Sequence, residues 1–205
     1  PRALAQLVES MLEGDERIHY VSTGGGIAGY NTQTYDEFRA LAEASPRRER
    51  IHLMGWVEAG DLPTIYHEAD LGLNMDEPNY ETFFGARNRL NNLMAAGLPV
   101  LTTAGSEIAQ LIEEARAGVV CAPGDTAAMA RAVLELARDP ARLRRMGERA
   151  REFVLKAFAP EVVTAPVREW ARQPASAPDN AEKLRMAPEA LSPLDVPINY
   201  LDAVA

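Results

Sequence analysis

The sequence predicts an α/β fold: a doubly wound parallel sheet flanked by helices, with a C-terminal helical and linker tail. Helical and strand patterns alternate from the first residues, as expected when helices cross over between parallel strands. A triple glycine, Gly24-Gly25-Gly26, breaks the first strand at its carboxyl end, where open α/β sheets hold ligands. The 205 residues, 47% of them hydrophobic, suffice for one domain with a real core plus appendages.

Each element follows from its own pattern. Leu4, Leu7, Val8, Met11 and Leu12 recur at helical spacing, so 3–12 reads as an amphipathic helix. Residues 17–22 form a short apolar strand and 34–44 a second helix. A strand over 50–54 ends in Gly55-Trp56-Val57, and a short helix follows over 61–68. The next strand, 70–75, leads into a loop around Glu81 and a helix from about 86 to 96. A strand at 99–103 precedes a helix over 106–114 capped by Ser106, and 118–122 is the last clear strand. Asp125 caps a helix running to about 138, and 141–158 forms the closing one.

The expected division is therefore 1–158 for the α/β domain and 159–205 for a C-terminal helix, linker and tail. Residues 173–179 are rich in Pro, Ala and Ser and cannot build a core. The tail still carries Leu191, Leu194, Val196, Ile198, Tyr200 and Leu201, enough apolar side chains to dock.

Charge and composition exclude several classes. A net charge of −9 argues against nucleic acid, which needs a basic surface. No apolar run is long enough to cross a membrane, and residues 1–10 have no signal-peptide pattern. Cys121 stands alone, which excludes disulfides and a cysteine metal cluster. A cytoplasmic protein is the expectation. All basic residues except Lys156 and Lys183 are arginine and alanine is abundant, the bias of a GC-rich bacterial genome. Arg142, Arg144, Arg145, Arg149 and Arg151 make 141–158 a basic helix. It can be read as contacting anionic lipid, but Glu148 and Glu152 between the arginines favour a solvated face. His19, His52 and His67 have no metal-site or triad spacing and read as structural or surface residues.

The most informative stretch is Glu81-Thr-Phe-Phe-Gly-Ala-Arg-Asn-Arg-Leu-Asn-Asn-Leu-Met-Ala-Ala-Gly-Leu-Pro-Val100. It offers an acid in a loop, Gly85 opening a helix, and Arg87 and Arg89 near the helix start. A helix N-terminus presents unpaired N–H groups and partial positive charge, a natural seat for phosphate. The arginines add fixed cations and Glu81 adds an acceptor for hydroxyls. Those are the parts needed to hold a sugar joined to a nucleoside diphosphate. A helix start with solvated arginines, and an exposed loop acid, are the plainer alternatives.

This stretch resembles the donor-binding segment of group-1 glycosyltransferases of the GT-B fold. Met94-Ala95-Ala96-Gly97-Leu98-Pro99-Val100 is similar to their Ala-x-Gly-x-Pro-Val ending. Members often carry two acids separated by seven residues. Here Asn92 stands in the second position and Glu81 lies further upstream than that spacing, closer to a branch with Phe-x-Arg-x-Arg or Arg-x-Lys. The likeness runs from about Ile18 to Phe158. It includes 51–57, the helix and strand of 62–74, Gly118-Val-Val-Cys-Ala-Pro-Gly-Asp125 and Arg145-Met-Gly-Glu-Arg-Ala150.

The resemblance implies a Rossmann-like domain and transfer of a sugar from a nucleotide-diphosphate donor with retention, without cofactor or metal. It implies donor-sugar binding by Glu81 and diphosphate stabilisation by Arg87 and Arg89. Gly24, Gly25, Gly26, Trp56, Val57, Phe84, Gly85 and Asn92 are the expected donor-binding residues. Arg87 and Arg89, two apart, cannot both point one way from a helix, which favours Arg89 with Asn92, while Arg87 could still reach from the loop end. Trp56 suits stacking near a nucleobase or plain packing. Gly24–Gly26 suits a donor-proximal loop or a flexible turn. Thr102, Thr103, Gly105 and Ser106 surround another helix start and are further cleft candidates.

Two features depart from the family pattern. The domain there begins with a central strand bearing Gly-Arg and a nearby Lys, and it partners an N-terminal acceptor-binding domain. Neither is matched here, so the expected partners are a nucleotide-sugar and an acceptor domain in the same or another chain. The alternative function is a non-catalytic nucleotide-binding or interaction module of the same fold. The expected architecture is one sheet of five strands, with the Glu81 loop and Gly24–Gly26 on one edge.

Overall fold

The computed structural model describes residues 1–27, 29 and 32–175. The apolar tail residues from Leu191 onward, and 176–179 of the expected linker, lie outside the described residues. The chain divides into two units, the first ending at Ala159 and the second beginning at Pro160.

In the first unit, helix α1 (Arg2–Gly14) buries Leu7, Val8, Met11 and Leu12, the stripe its spacing predicts. Each such side chain removed from water contributes roughly 1.5–3 kcal/mol. Strand β1 (Tyr20–Thr23) follows, then α2 (Gln33–Glu43), β2 (Ile51–Gly55), α3 (Leu62–Glu68) and the two-residue β3 (Gly72–Leu73). Next come α4 (Tyr80–Phe84), α5 (Asn88–Ala95), β4 (Val100–Thr103), α6 (Glu107–Glu114) and β5 (Gly118–Cys121). Helices α7 (Thr126–Ala137) and α8 (Pro140–Ala157) close the unit. Ser106 and Asp125 cap α6 and α7 as expected, accepting from the amides of Ala109 and Ala128. Asp139 caps α8 in the same way.

All pairings are parallel, but the single five-stranded sheet is not formed. Among the described residues the strands make two sheets, β1–β2 and β3–β4–β5. Tyr20 pairs with Ile51 in the first, while Val100 pairs with both Gly72 and Gly118 in the second. No ladder joins β1 to β3, and the central strand implied by the resemblance is not among the five. One apolar cluster nonetheless serves both sheets. Residues of α1 and α7 pack with Tyr20 and Ile51 of one sheet and with Leu101 and Cys121 of the other. A second cluster joins α5, α6 and α8 beneath Val100.

Strand β4 is buried throughout, as the middle strand of three should be. Its carboxyl end carries Thr102 and Thr103, whose hydroxyls need partners at that depth. They find them in the segment that follows β3, where the candidate site begins.

The second unit contains α9 (Pro160–Val163) and α10 (Ala165–Arg172), with Val162, Val163, Val167 and Trp170 exposed. No helix among the described residues is long and apolar enough to cross a membrane.

Candidate donor site

The site is built on the segments leaving the carboxyl ends of the strands. After β3 the chain runs through Asn74 and Asp76, and both are pinned to the end of β4. Asn74 donates to the Thr102 hydroxyl at 3.0 Å and to the Asp76 carboxylate at 3.0 Å. The Thr103 hydroxyl accepts from the Asp76 amide at 2.9 Å and donates to the Asp76 carbonyl at 3.0 Å. Asp76 is thereby fixed in both its backbone and its side chain.

Residues 80–84, expected in a loop, form the short helix α4. Asn79 caps it by accepting from the Thr82 amide at 2.9 Å, and the buried Thr82 hydroxyl donates to the Glu77 carbonyl at 2.6 Å. Gly85 ends α4, its amide donating to the Glu81 carbonyl at 2.7 Å. A Cβ at Gly85 would lie 2.4 Å from that carbonyl oxygen and 2.9 Å from the Arg87 guanidinium. Only glycine fits between them, so Gly85 closes α4 instead of opening the next helix.

The next helix, α5, starts at Asn88, and Arg87 is its N-cap. The Arg87 side chain is 5% exposed and already matched. Its Nε donates to Asp76 at 2.9 Å, one terminal nitrogen to the Glu81 Oε1 at 3.2 Å, and the other to the Thr82 hydroxyl at 3.2 Å. Arg87, expected with Arg89 at the diphosphate, has its guanidinium engaged by two carboxylates and a hydroxyl. What it does is hold Glu81, whose side chain is 80% exposed with only Oε1 engaged by this contact.

The Arg89 side chain is 61% exposed, and one nitrogen stands 4.0 Å from Asp76 Oδ1. Asn92, three residues on, is also exposed, so the two share an open face of α5. Phe84 is 75% exposed and stacks obliquely on Tyr80, centroids 4.7 Å apart.

The other expected donor residues gather at the ends of β1 and β2. The Gly24 amide donates to the Gly55 carbonyl at 2.6 Å, and the Trp56 indole donates to the Gly26 carbonyl at 3.2 Å. Trp56 is exposed and lies against Gly25, while Val57 is half-buried. Thr102, Thr103 and Ser106 are buried and serve as struts and a cap, not as lining. His19 and His52 stack on each other at the surface, 3.0 Å between ring nitrogens.

Asp76 is the residue the sequence reading missed. The available signal was a carboxylate just past the apolar run Leu71-Gly-Leu73, at the end of a strand. Nothing local says that it is the hub for two arginines.

The family model of "Glycosyl transferases group 1" matches residues 2–139. Over 72 residues the chain is 36% identical to N-acetyl-alpha-D-glucosaminyl L-malate synthase of Bacillus anthracis, a match over 35% of this chain and 19% of that protein. Among solved structures, sucrose-phosphate synthase from Thermosynechococcus elongatus superposes with a TM-score of 0.69 at 20% identity, over 82% of this chain and 41% of that one. Anabaena Alr3699/HepE, solved in complex with UDP and glucose, gives 0.68 at 18% identity, over 82% of this chain and 44% of that one. The chain therefore spans less than half the length of these proteins, and the structures bear on its fold. Since the family match covers more than half of the sequence, the chain belongs to the group 1 glycosyl transferases.

Proposed function

We propose that this domain binds the nucleoside-diphosphate sugar of a retaining glycosyltransferase and supplies one wall of its cleft. The observation that carries the reading is the network centred on Asp76: it pairs with buried Arg87, which holds the projecting Glu81 carboxylate, and lies 4.0 Å from the projecting Arg89 guanidinium. Glu81 takes hydroxyls of the donor sugar. Arg89 and the start of α5 take the diphosphate, and their positive charge stabilises the leaving group as the bond to the sugar breaks. Trp56, Val57 and the Gly24–Gly26 turn hold the nucleoside. Arg87 acts at one remove, as the positioning residue for Glu81. HepE crystallised with UDP and glucose supports this donor class.

Asn92 favours one other reading. A neutral amide grips ribose hydroxyls less firmly than the carboxylate usual in the family, as in a module that keeps nucleotide binding without transfer.

Calorimetric titration with UDP, GDP and ADP tests the proposal. A half-site should bind its preferred nucleotide at about 0.1–1 mM. Arg89→Ala should weaken binding by about 1.5–3 kcal/mol, the size of a lost charge-assisted contact, and leave the melting temperature nearly unchanged. No heat with any of the three nucleotides would sink the reading.

A further inference from the structure

We propose a second anion site, at the opposite edge of the β3–β4–β5 sheet, that takes a phosphate-bearing ligand. A groove of about 430 Å³ opens there between the end of α6 and the first half of α8. Its walls are Arg116, Arg142, Arg145 and Arg149, with Glu113 beside them and the buried Met146 as a floor. Gly118, the first residue of β5, marks this as the amino edge of the strands, away from Asp76 and Glu81.

Four observations point to an anion. Arg142, Arg145 and Arg149 are spaced three and four apart, which aligns them on one face of α8. None of the four guanidiniums has an ion pair or hydrogen bond among the described residues, unlike Arg47 and Arg87. Arg142 stands in the first turn of α8, where the helix dipole disfavours a cation. Arg116 stands just past α6 with φ of 52°, a left-handed position where glycine is the unstrained choice. That turn is fixed by the Arg116 amide bonding the Glu113 carbonyl and the Ala117 amide bonding the Ile112 carbonyl. A fourth arginine thus lines the same groove as the other three, on a chain whose net charge is −9.

Like charges gathered without partners repel one another. An anion with several oxygens removes that repulsion, and the planar guanidinium fork matches a phosphate. The volume suits a small phosphate compound or a lipid headgroup. Glu113 is the one carboxylate in the groove and opposes a bare anion, which gives the proposal a test of sign.

Amide NMR of the whole chain, titrated with inorganic pyrophosphate at physiological salt, should shift the amides of 113–118 and 142–149. Arg145→Ala combined with Arg149→Ala should weaken that binding about tenfold or more. Glu113→Gln should tighten it. These side chains are exposed, so the variants should fold, and unchanged melting temperatures would show it. Cosedimentation with vesicles of phosphatidylcholine and phosphatidylglycerol, against phosphatidylcholine alone, separates the sources. Arginine-dependent pyrophosphate binding supports a soluble ligand, and arginine-dependent vesicle binding supports a headgroup. Shifts confined to 81–92 would overturn the groove while leaving the donor reading intact. Binding that ignores the arginine and Glu113 variants, or no binding in either assay, would overturn it outright.

Discussion

Arg87 and Arg89 are two residues apart, carry the same charge, and have opposite fates. Arg87 turns inward because α4 ends at Gly85, whose missing side chain leaves room for the guanidinium beside the Glu81 carbonyl. Arg89, inside α5, projects to solvent. Their variants should therefore separate cleanly. Arg87→Ala would remove the buried guanidinium from the largely buried Asp76 and release the Glu81 side chain, at a cost on the order of 3–5 kcal/mol. Chemical denaturation checks this, and a loss below about 1 kcal/mol would show the network is idle. Arg89→Ala should touch binding alone. Helical spacing favoured Arg89 with Asn92 and still left Arg87 able to reach the site from the loop end, so the sequence did not close the choice between them. That choice rests on where Asp76 lies in space, and Asp76 is eleven residues from Arg87 and thirteen from Arg89 in the chain.

At the scale of elements, the helices were legible and the short pieces were not. α1 and α7 carry long apolar stripes and explicit stops or caps, so their positions follow from local spacing. β3 has two residues, held by backbone bonds to β4, and α4 has five, held by its Asn79 cap and the Thr82 hydroxyl bond to Glu77. Elements this short have no periodicity to read. The contact between α5 and α8 is another feature of tertiary origin. A Cβ on Gly147 of α8 would sit 2.1 Å from the Gly97 carbonyl oxygen, with Pro99 also nearby. Gly147→Ala must therefore push α8 away from the turn after α5. The helix gains intrinsic propensity of about 1 kcal/mol from the change, but overpacking costs about 1–3 kcal/mol or more. Thermal unfolding should show net destabilisation, and an unchanged or higher melting temperature would mean that the two helices adjust freely.

At the scale of the whole molecule, what was legible is the order of parallel strands and crossover helices, and what was not is their continuity. Sheet continuity depends on hydrogen bonds between strands distant in sequence, and β1 and β3 make none to each other. The domain also spans less than half of the proteins it superposes on. Sugar transfer joins two reactants, and holding both in register accounts for as much as ~7–11 kcal/mol of such a barrier. On the proposed reading Glu81, Arg89 and Trp56 hold the donor, and holding an acceptor in register with it falls to a second wall. The 205-residue chain on its own should therefore bind nucleotide without sustained transfer. The comparison to make is UDP-sugar turnover by the purified chain, with and without an added acceptor-binding domain. Added domain should restore turnover while the nucleotide affinity of the chain changes little. Steady glycosyl transfer by the chain alone, abolished by Arg89→Ala, would show that a single wall is enough.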